Sequence, residues 1–350
     1  MKAAILEHLN SPLVVADLTL PKELLPGQVL VKVRCSTICG AQLGEISGAK
    51  GTDPYLPHLL GHEGVGDVEF VGPGVRHVKP GDRVVMHWRK GVGIEAEPPR
   101  YYWPGEGHCD TVGGGWVTTF NEQAVVSENR LTVIDKDVPD YVASLMGCAI
   151  TTGLGLINNE AQLKIGQTIA VAGCGGVGWN VIQGASMASA SKIIAIDVEA
   201  DKVRRAKTLG ATDVVTLSDP LSPMLDNVRA IVGKRGVDVF VDCTGNPAVI
   251  ARGLELVAPG GRLILVGQPH CDYAVEFPRM RQHYCGKTIL DSQGGLTNPT
   301  VDIPRYIELF KMGKLVTNVL VTDTFKLDNV NDAIKLARSG SAGRVLLEMN

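Results

Sequence analysis

The period of the hydrophobic pattern changes partway along the chain. Over residues 1–141 apolar and polar positions alternate in short runs. GQVLVKVRCS is one such run, and its period of two predicts a half-buried β-strand. GHEGVGDVEFVGPGVRHVKPGDRVV is cut by glycine and proline into several short strands. RKGVGIEAEPPRYYWPGEGHCDTVGGGWV shows neither period and predicts an irregular surface lobe. WVTTFNEQAVVSENRLTVI then returns to the strand pattern.

From about residue 149 the strands become continuously apolar and alternate with helices. ITTGLGLINNEAQLKIG predicts a helix ending before Gly166, and TIAVAGCGGVGWNVIQGASMA predicts a strand, a glycine turn and a helix. SKIIAIDVEADKVRRAKTLGATDVV and GVDVFVDCTGNPAVIARGLELVAPGGRLILVGQ repeat that unit. Such an order predicts a parallel sheet covered on both faces. Beyond residue 294, IPRYIELFKMG and NVNDAIKLARSG predict helices and RVLLEM a closing strand. The expected division is a β-rich domain from residues 1–149 and 294–350, with an α/β domain from 150–293. A chain of 350 residues is long enough for two cores.

Composition narrows the function. A net charge of −3 and 5% aromatic residues argue against a nucleic-acid partner, which needs a basic stripe or stacking rings. No run reaches the roughly 18 apolar residues of a membrane span, and Glu7, His8 and Asn10 interrupt the N-terminal segment, so neither a membrane partner nor a signal peptide is expected. A cytoplasmic protein is expected. The 8 cysteines are scattered, which in that compartment predicts buried, metal-binding or reactive thiols rather than a disulfide framework.

Two constellations carry chemistry. Gly173, Gly175 and Gly178 fit G-x-G-x-x-G, with Gly176 and Val177 inside the motif, between an apolar strand and a helix. The three glycines serve a tight turn, close approach of backbone to pyrophosphate, and close helix–strand packing. Asp197 ends the next strand, 19 positions after Gly178. An acid there binds the adenosine ribose and repels a 2′-phosphate, so NAD is expected over NADP. The second constellation is Cys39 in TICGAQLG, His62 and Glu63 in GHEG, and Cys148 in LMGCAITTG. Two thiolates and one imidazole match a three-ligand zinc site with an open fourth position.

With these motifs, the chain resembles the zinc-dependent medium-chain alcohol dehydrogenases over essentially its whole length. The likeness rests on ICG, GHEGVGDVEFVGPGVRHVKPGDRV, GC-x-x-x-TG, AVAGCGGVG, IIAIDVEADKVRRAKTLGAT and SGSAGRVLLE. It implies a GroES-like β-rich catalytic domain and a Rossmann cofactor domain, with Cys39, His62 and Cys148 on a catalytic zinc. It also implies that Glu63 stands behind the metal and approaches it transiently, that Lys202 contacts the ribose, that Arg344 contacts pyrophosphate, and that Val266 and Gly267 line the nicotinamide. A homodimer or homotetramer is implied.

Several departures from that family qualify the expectation. Ala41 stands where the family carries the hydroxyl that starts a proton relay, and Gln42 replaces an aspartate behind the zinc-ligand histidine; the Gln42 amide oxygen can still accept from His62. Ser36, Thr37, Glu45, His58 or a water chain could substitute in the relay, or the substrate needs none. The region after GDRV holds Cys109 alone, so one catalytic zinc and no structural zinc are expected; His87, His108, Cys109 and Asp110 match no metal motif. The lobe is rich in aromatics (Trp88, Tyr101, Tyr102, Trp103, Trp116), as a pocket wall for a polyol or as packing, with packing preferred. Gly40, where a basic residue can contact pyrophosphate, removes one anchor.

The expected activity is hydride transfer between NAD and an alcohol or carbonyl of a small molecule, a secondary alcohol, polyol or sugar derivative. A reductase of C=N or C=C bonds, which needs no hydroxyl relay, is the second reading. A nucleotide-binding protein without catalysis is the third, opposed by the intact Cys39, His62, Glu63 and Cys148.

Overall fold

The computed structural model describes residues 1–104, 110–217, 223–277 and 280–349. The chain separates into two compact units, residues 1–148 with 298 to the C-terminus, and residues 149–297, against the expected junctions at 149 and 293.

In the first unit the long strand Gln28–Ile38 is the spine. One side pairs antiparallel with Glu63–Val71 and the other with Arg344–Glu348 and Gln123–Ser127. Arg83–His87 and Leu131–Ile134 extend this sheet at one edge and Val321–Lys326 at the other. Register matters for the site. Val345 lies opposite Ile38, and Glu63 lies opposite His87, so Arg344, Cys39, Glu63 and His87 are gathered at one end of neighbouring strands.

A second, five-stranded sheet runs Val14–Asp17, Lys2–Leu6, His58–Leu59, Thr111–Gly113, Arg100–Tyr102. The last two strands belong to the segment expected as an irregular surface lobe. RYYW in fact alternates: Tyr101 and Trp103 are buried with Ile5, Leu18 and Val112, while Arg100 and Tyr102 point to solvent. The Tyr101 hydroxyl oxygen accepts the Val125 N–H at 2.8 Å. These two aromatics are core packing, and Trp116, partly exposed, carries the Arg130 guanidinium 5.4 Å above its ring. His108 and Cys109 lie outside the described residues.

The second unit is a six-stranded parallel sheet in the order Asp213–Thr216, Lys192–Asp197, Thr168–Ala172, Val237–Asp242, Val257–Leu265, Thr288–Asp291. In chain order this is 3-2-1-4-5-6, the doubly wound dinucleotide-binding arrangement. TIAVA reads as an apolar run, and VDVFVD keeps Val237, Val239, Phe240 and Val241 buried alongside its two aspartates, because helices cover both faces of the central strands. The helix expected to end before Gly166 is shorter. Ala149–Gly155 passes into a π-turn, Leu156–Ala161, and Gln162 turns left-handed at φ +48°. The freed carbonyls of Glu160 and Ala161 are taken up by the Arg262 guanidinium at 2.8 and 3.0 Å, which stabilises the early stop. Among the described residues no single helix is long and apolar enough to cross a membrane.

Candidate metal centre and dinucleotide cradle

Cys39 caps the short helix Gly40–Ile46 directly after the spine strand, and His62 precedes the strand Glu63–Val71. Cys148 follows the helix Asp140–Met146 through Gly147. A Cβ on Gly147 would fall 2.4 Å from the Met86 carbonyl and 2.8 Å from the Glu63 Cα, so only glycine lets the cysteine approach this closely. The sulfurs of Cys39 and Cys148 and a ring nitrogen of His62 all lie within 4.8 Å of one another.

Electrostatics divides the two thiols. The Cys148 thiol donates to Cys39, and despite burial Arg344 and His62 help hold Cys39 well below the usual thiol range. The same hydrogen bond, with burial, pushes Cys148 far up. Burial alone would lower His62, but the Cys39 thiolate outweighs it and raises its pKa. His62 Nε2 is buried without a hydrogen-bond partner. A buried ring nitrogen with no partner, beside two sulfurs, is costly unless something fills the space between them. The donor set of two thiols and one imidazole fits a zinc ion.

Behind these donors Glu63 and Arg344 form a buried ion pair. Arg344 Nη1 donates to Glu63 Oε1 at 2.8 Å and to the Ile38 carbonyl at 3.0 Å, and the two side chains are 4% and 0% exposed. Burial raises the Glu63 pKa. Burial would lower that of Arg344, but the charges of Cys39 and Glu63 prevail and hold it above its ordinary range. Sequence reasoning expected Glu63 near the metal and Arg344 at the pyrophosphate. It did not foresee that Nη1 of Arg344 would be committed to Glu63 and the Ile38 carbonyl. The separation of 281 residues gives no local signal.

Gln42 differs from expectation. Its amide oxygen accepts the Cys39 N–H at 3.1 Å, closing a capping box. The amide nitrogen, not the oxygen, therefore meets His62 Nδ1. A carboxylate could serve both donors, one oxygen for the Cys39 N–H and the other for a protonated Nδ1, leaving Nε2 free to ligate. Gln42→Glu is accordingly expected to tighten zinc binding about tenfold, read by competition with a chromophoric chelator.

Of the groups proposed as relay substitutes, Ser36 and His58 have other engagements, whereas Thr37 Oγ1 is buried without a hydrogen-bond partner. Ser36 Oγ donates to the Glu63 carbonyl at 2.8 Å and is 2.7 Å from Thr119 Oγ1. His58 places Nδ1 2.9 Å from the Leu59 carbonyl and Nε2 2.9 Å from Asp53. Thr37 is buried, and Glu45 is half-buried. His87 has both ring nitrogens engaged, with the Arg89 carbonyl at 2.7 Å and Thr132 Oγ1 at 2.9 Å.

In the second unit the glycine motif joins Thr168–Ala172 to the helix Gly176–Met187. Gly173 has φ +92°, the left-handed turn. A Cβ on Gly178 would meet the Gly173 carbonyl oxygen at 1.9 Å, the close helix–strand contact. Gly175 is different: a Cβ there would meet nothing within 4 Å, so the protein itself places no demand for glycine. The open space at that position, in front of a helix N-terminus, is where a dinucleotide backbone needs room. Gly176 and Val177 form the first turn of that helix.

Asp197 ends Lys192–Asp197 and is already used locally, with Oδ2 accepting from the Cys174 N–H at 2.6 Å and Oδ1 from the Glu199 N–H at 3.0 Å. Each oxygen keeps a second lone pair. Lys202 lies in the first turn of Ala200–Thr208, where its carbonyl accepts the Trp179 indole N–H at 3.2 Å. Val266 and Gly267 both donate to the Asp242 carbonyl, at 2.8 and 3.0 Å. A Cβ on Gly267 would meet the Gly245 nitrogen at 2.1 Å. Asp242 itself is buried, which raises its pKa, and its carboxylate orders this turn through Thr244 Oγ1 at 2.6 Å and the Gly245 N–H at 2.9 Å. The acid two residues before Thr244 in DCTG was a readable turn signal that the sequence reasoning passed over.

The comparisons with known proteins agree with this geometry. A model described as "Alcohol dehydrogenase GroES-like domain" matches residues 25–136, and one described as "Zinc-binding dehydrogenase" matches residues 176–311. A probable S-(hydroxymethyl)glutathione dehydrogenase 1 of Schizosaccharomyces pombe is 30% identical, covering 100% of this chain and 97% of the relative. Alcohol dehydrogenase 6 of Peromyscus maniculatus is 30% identical over 99% of this chain and 97% of its own. The crystal structure of benzyl alcohol dehydrogenase from Acinetobacter calcoaceticus superposes with a TM-score of 0.87 at 25% identity, covering 100% and 99% of the two chains. The chain belongs to the zinc-dependent medium-chain alcohol dehydrogenase family. It is an oxidoreductase with the GroES-like and Rossmann architecture of that family.

The glycine at 175 yields a separable prediction. Gly175→Ala is expected to leave thermal stability unchanged, since its methyl group meets open space, and to weaken NAD binding by about tenfold or more through loss of close backbone approach. Calorimetric titration alongside a melting curve checks both.

Proposed function

We propose that this protein transfers hydride between NAD and an alcohol or its carbonyl product, with one zinc ion held by Cys39, His62 and Cys148. The observation that carries the reading is the buried trio of donors with the unpartnered His62 Nε2 among them. When bound, zinc supplies a Lewis acid for the substrate oxygen and NAD supplies the hydride acceptor or donor.

The chain's own residues set up that chemistry. The hydrogen bond from Cys148, with Arg344 and His62, favours the thiolate of Cys39, the form in which it would ligate a metal. Glu63 and Arg344 place a fixed charge pair behind the donors. Gly175 clears space for pyrophosphate at the N-terminus of Gly176–Met187. Asp197 disfavours a 2′-phosphate and so favours NAD over NADP, and Lys202 is assigned to the same ribose. Val266 and Gly267, locked by Asp242, are assigned to the nicotinamide. Arg344 is assigned to the pyrophosphate, as the likeness to the family implies.

The substrate is a small molecule. A secondary alcohol, polyol or sugar derivative is proposed, and the relatives' names bring S-(hydroxymethyl)glutathione and benzyl alcohol into the same panel. A homodimer or homotetramer is proposed, supported by the half-exposed Ile289 on the edge strand Thr288–Asp291. The test is metal analysis of protein purified without chelator, together with NADH formation over the panel. The expected result is a buried zinc that Cys148→Ser removes, and NAD-dependent oxidation of at least one alcohol that disappears with it. Equal turnover by the zinc-free protein would overturn the reading.

A further inference from the structure

Three consecutive donors lie outside the centre described above, on the exposed turn that follows Val266 and Gly267. They are His270, Cys271 and Asp272. The Tyr273 N–H donates to the His270 carbonyl at 2.9 Å and closes the turn. Closure gathers the three side chains on one side, and their donor atoms all lie within 4.8 Å of one another. Cys271 is a free, exposed cysteine, whereas Cys35, Cys39, Cys148 and Cys174 are buried and Cys243 and Cys285 half-buried.

The individual spacings are informative. Cys271 Sγ is 3.8 Å from His270 Nδ1 and 3.7 Å from Asp272 Oδ1. His270 Nδ1 is 3.4 Å from Asp272 Oδ2. A tetrahedral zinc with its usual bond lengths to sulfur, nitrogen and oxygen would separate S from N, and S from O, by about 3.6 Å, and N from O by about 3.4 Å. The two distances to Asp272 run to its different carboxylate oxygens, so a rotation of that exposed carboxylate brings one oxygen to both other donors and completes one face of a tetrahedron.

The hydrogen bonding shows which ring nitrogen would ligate. The Asp272 N–H donates, at a long 3.3 Å, to His270 Nδ1, so that nitrogen carries a lone pair and not a proton. A metal would take that lone pair in exchange for this weak hydrogen bond.

We propose that His270, Cys271 and Asp272 form a second cation site, a surface chelate for zinc or a similarly borderline divalent transition-metal ion, with water in the fourth position. On binding, the sulfur–metal bond forms as the Cys271 thiol gives its proton to solvent. One thiolate and one carboxylate then balance the 2+ charge, with the neutral imidazole as third ligand. The site is independent of the buried centre, since it shares no residue with Cys39, His62 or Cys148. Its effect is to pin the turn that leads away from Val266 and Gly267.

The test reads Cys271 directly. The full-length protein is treated with iodoacetamide at neutral pH, with and without Zn2+, and carboxamidomethylation of the Cys271 peptide is followed by mass spectrometry. Zinc at about ten times its dissociation constant is expected to slow Cys271 alkylation about tenfold by mass action, and a chelator is expected to restore it. The same protection is expected in a Cys148→Ser background, so failure of the buried centre and failure of this site are told apart. His270→Asn combined with Asp272→Asn is expected to abolish protection. Mg2+, which prefers oxygen ligands, is expected to give none. Three outcomes would overturn the proposal. One is unchanged alkylation in millimolar-range zinc, another is equal protection in the double variant, and the third is equal protection by Mg2+.

Discussion

Replacing Arg344 by methionine is expected to cost about 3–5 kcal/mol of unfolding free energy, the usual consequence of deleting one member of a buried ion pair. The guanidinium is 4% exposed and its partner Glu63 is fully enclosed. Methionine fills much of the volume but supplies no charge. Glu63 is then left as a buried carboxylate whose pKa burial already raises. It either stays charged at a large solvation penalty or takes up a proton, and both outcomes lower stability at neutral pH. The Ile38 carbonyl also loses a donor. Urea unfolding of the chelated protein measures the cost without a contribution from bound metal. The double variant Arg344→Met with Glu63→Gln is expected to recover most of the loss, because no unpaired charge remains. A single-variant cost below about 1 kcal/mol would show that the pair is solvated, contrary to its burial.

Much of this architecture was legible because its signals are local. The strand TIAVA, the glycines after it and Asp197 19 positions beyond are all set by one strand–turn–helix unit, so spacing alone gave both the sheet and the cradle. The three donors of the candidate metal centre were legible for a different reason: each stands in a short motif that the family resemblance picks out, and the fold brings the three together. What stayed hidden depends on partners far away in sequence. RYYW looked irregular because its pairing strand, Thr111–Gly113, lies beyond a glycine-rich stretch and its core partners begin at Ala3. The Glu63–Arg344 pair is created by sheet register, which one sequence does not state. Gln42 shows a subtler limit. Its amide can turn either way towards His62, and the capping box with Cys39 decides the direction. The geometry of His270, Cys271 and Asp272 comes from one turn hydrogen bond, invisible in the letters HCD.

Acid is expected to destabilise the protein through His87, and the sign follows from burial. The ring is 1% exposed, and desolvation is the main reason its pKa falls from 6.5 to about 4. Its Nδ1–H donates to the Arg89 carbonyl and Nε2 accepts from Thr132, so the neutral ring is fully satisfied. A second proton would displace the Thr132 bond and put a charge near Arg130, which adds to the depression. Between about pH 6.5 and pH 4 the unfolded chain therefore binds a proton that the folded chain refuses. Stability from this group is fully present above pH 6.5, drains away as the pH falls through that window, and is gone below the folded value near 4. A shift of this size corresponds to about 3 kcal/mol. Carboxylates titrate in the same range, so the informative quantity is a difference. His87→Gln keeps polar contact with the strand and cannot ionise. Its stability is expected to lie below that of the unmutated protein at pH 7 and to close the gap by about 3 kcal/mol on going to pH 4. Denaturant unfolding of metal-free protein at several pH values measures this, since zinc would add its own proton linkage. A gap that stays constant with pH would mean that His87 accepts a proton in the folded state as easily as in water, and that the ring is less enclosed than its position opposite Glu63 implies.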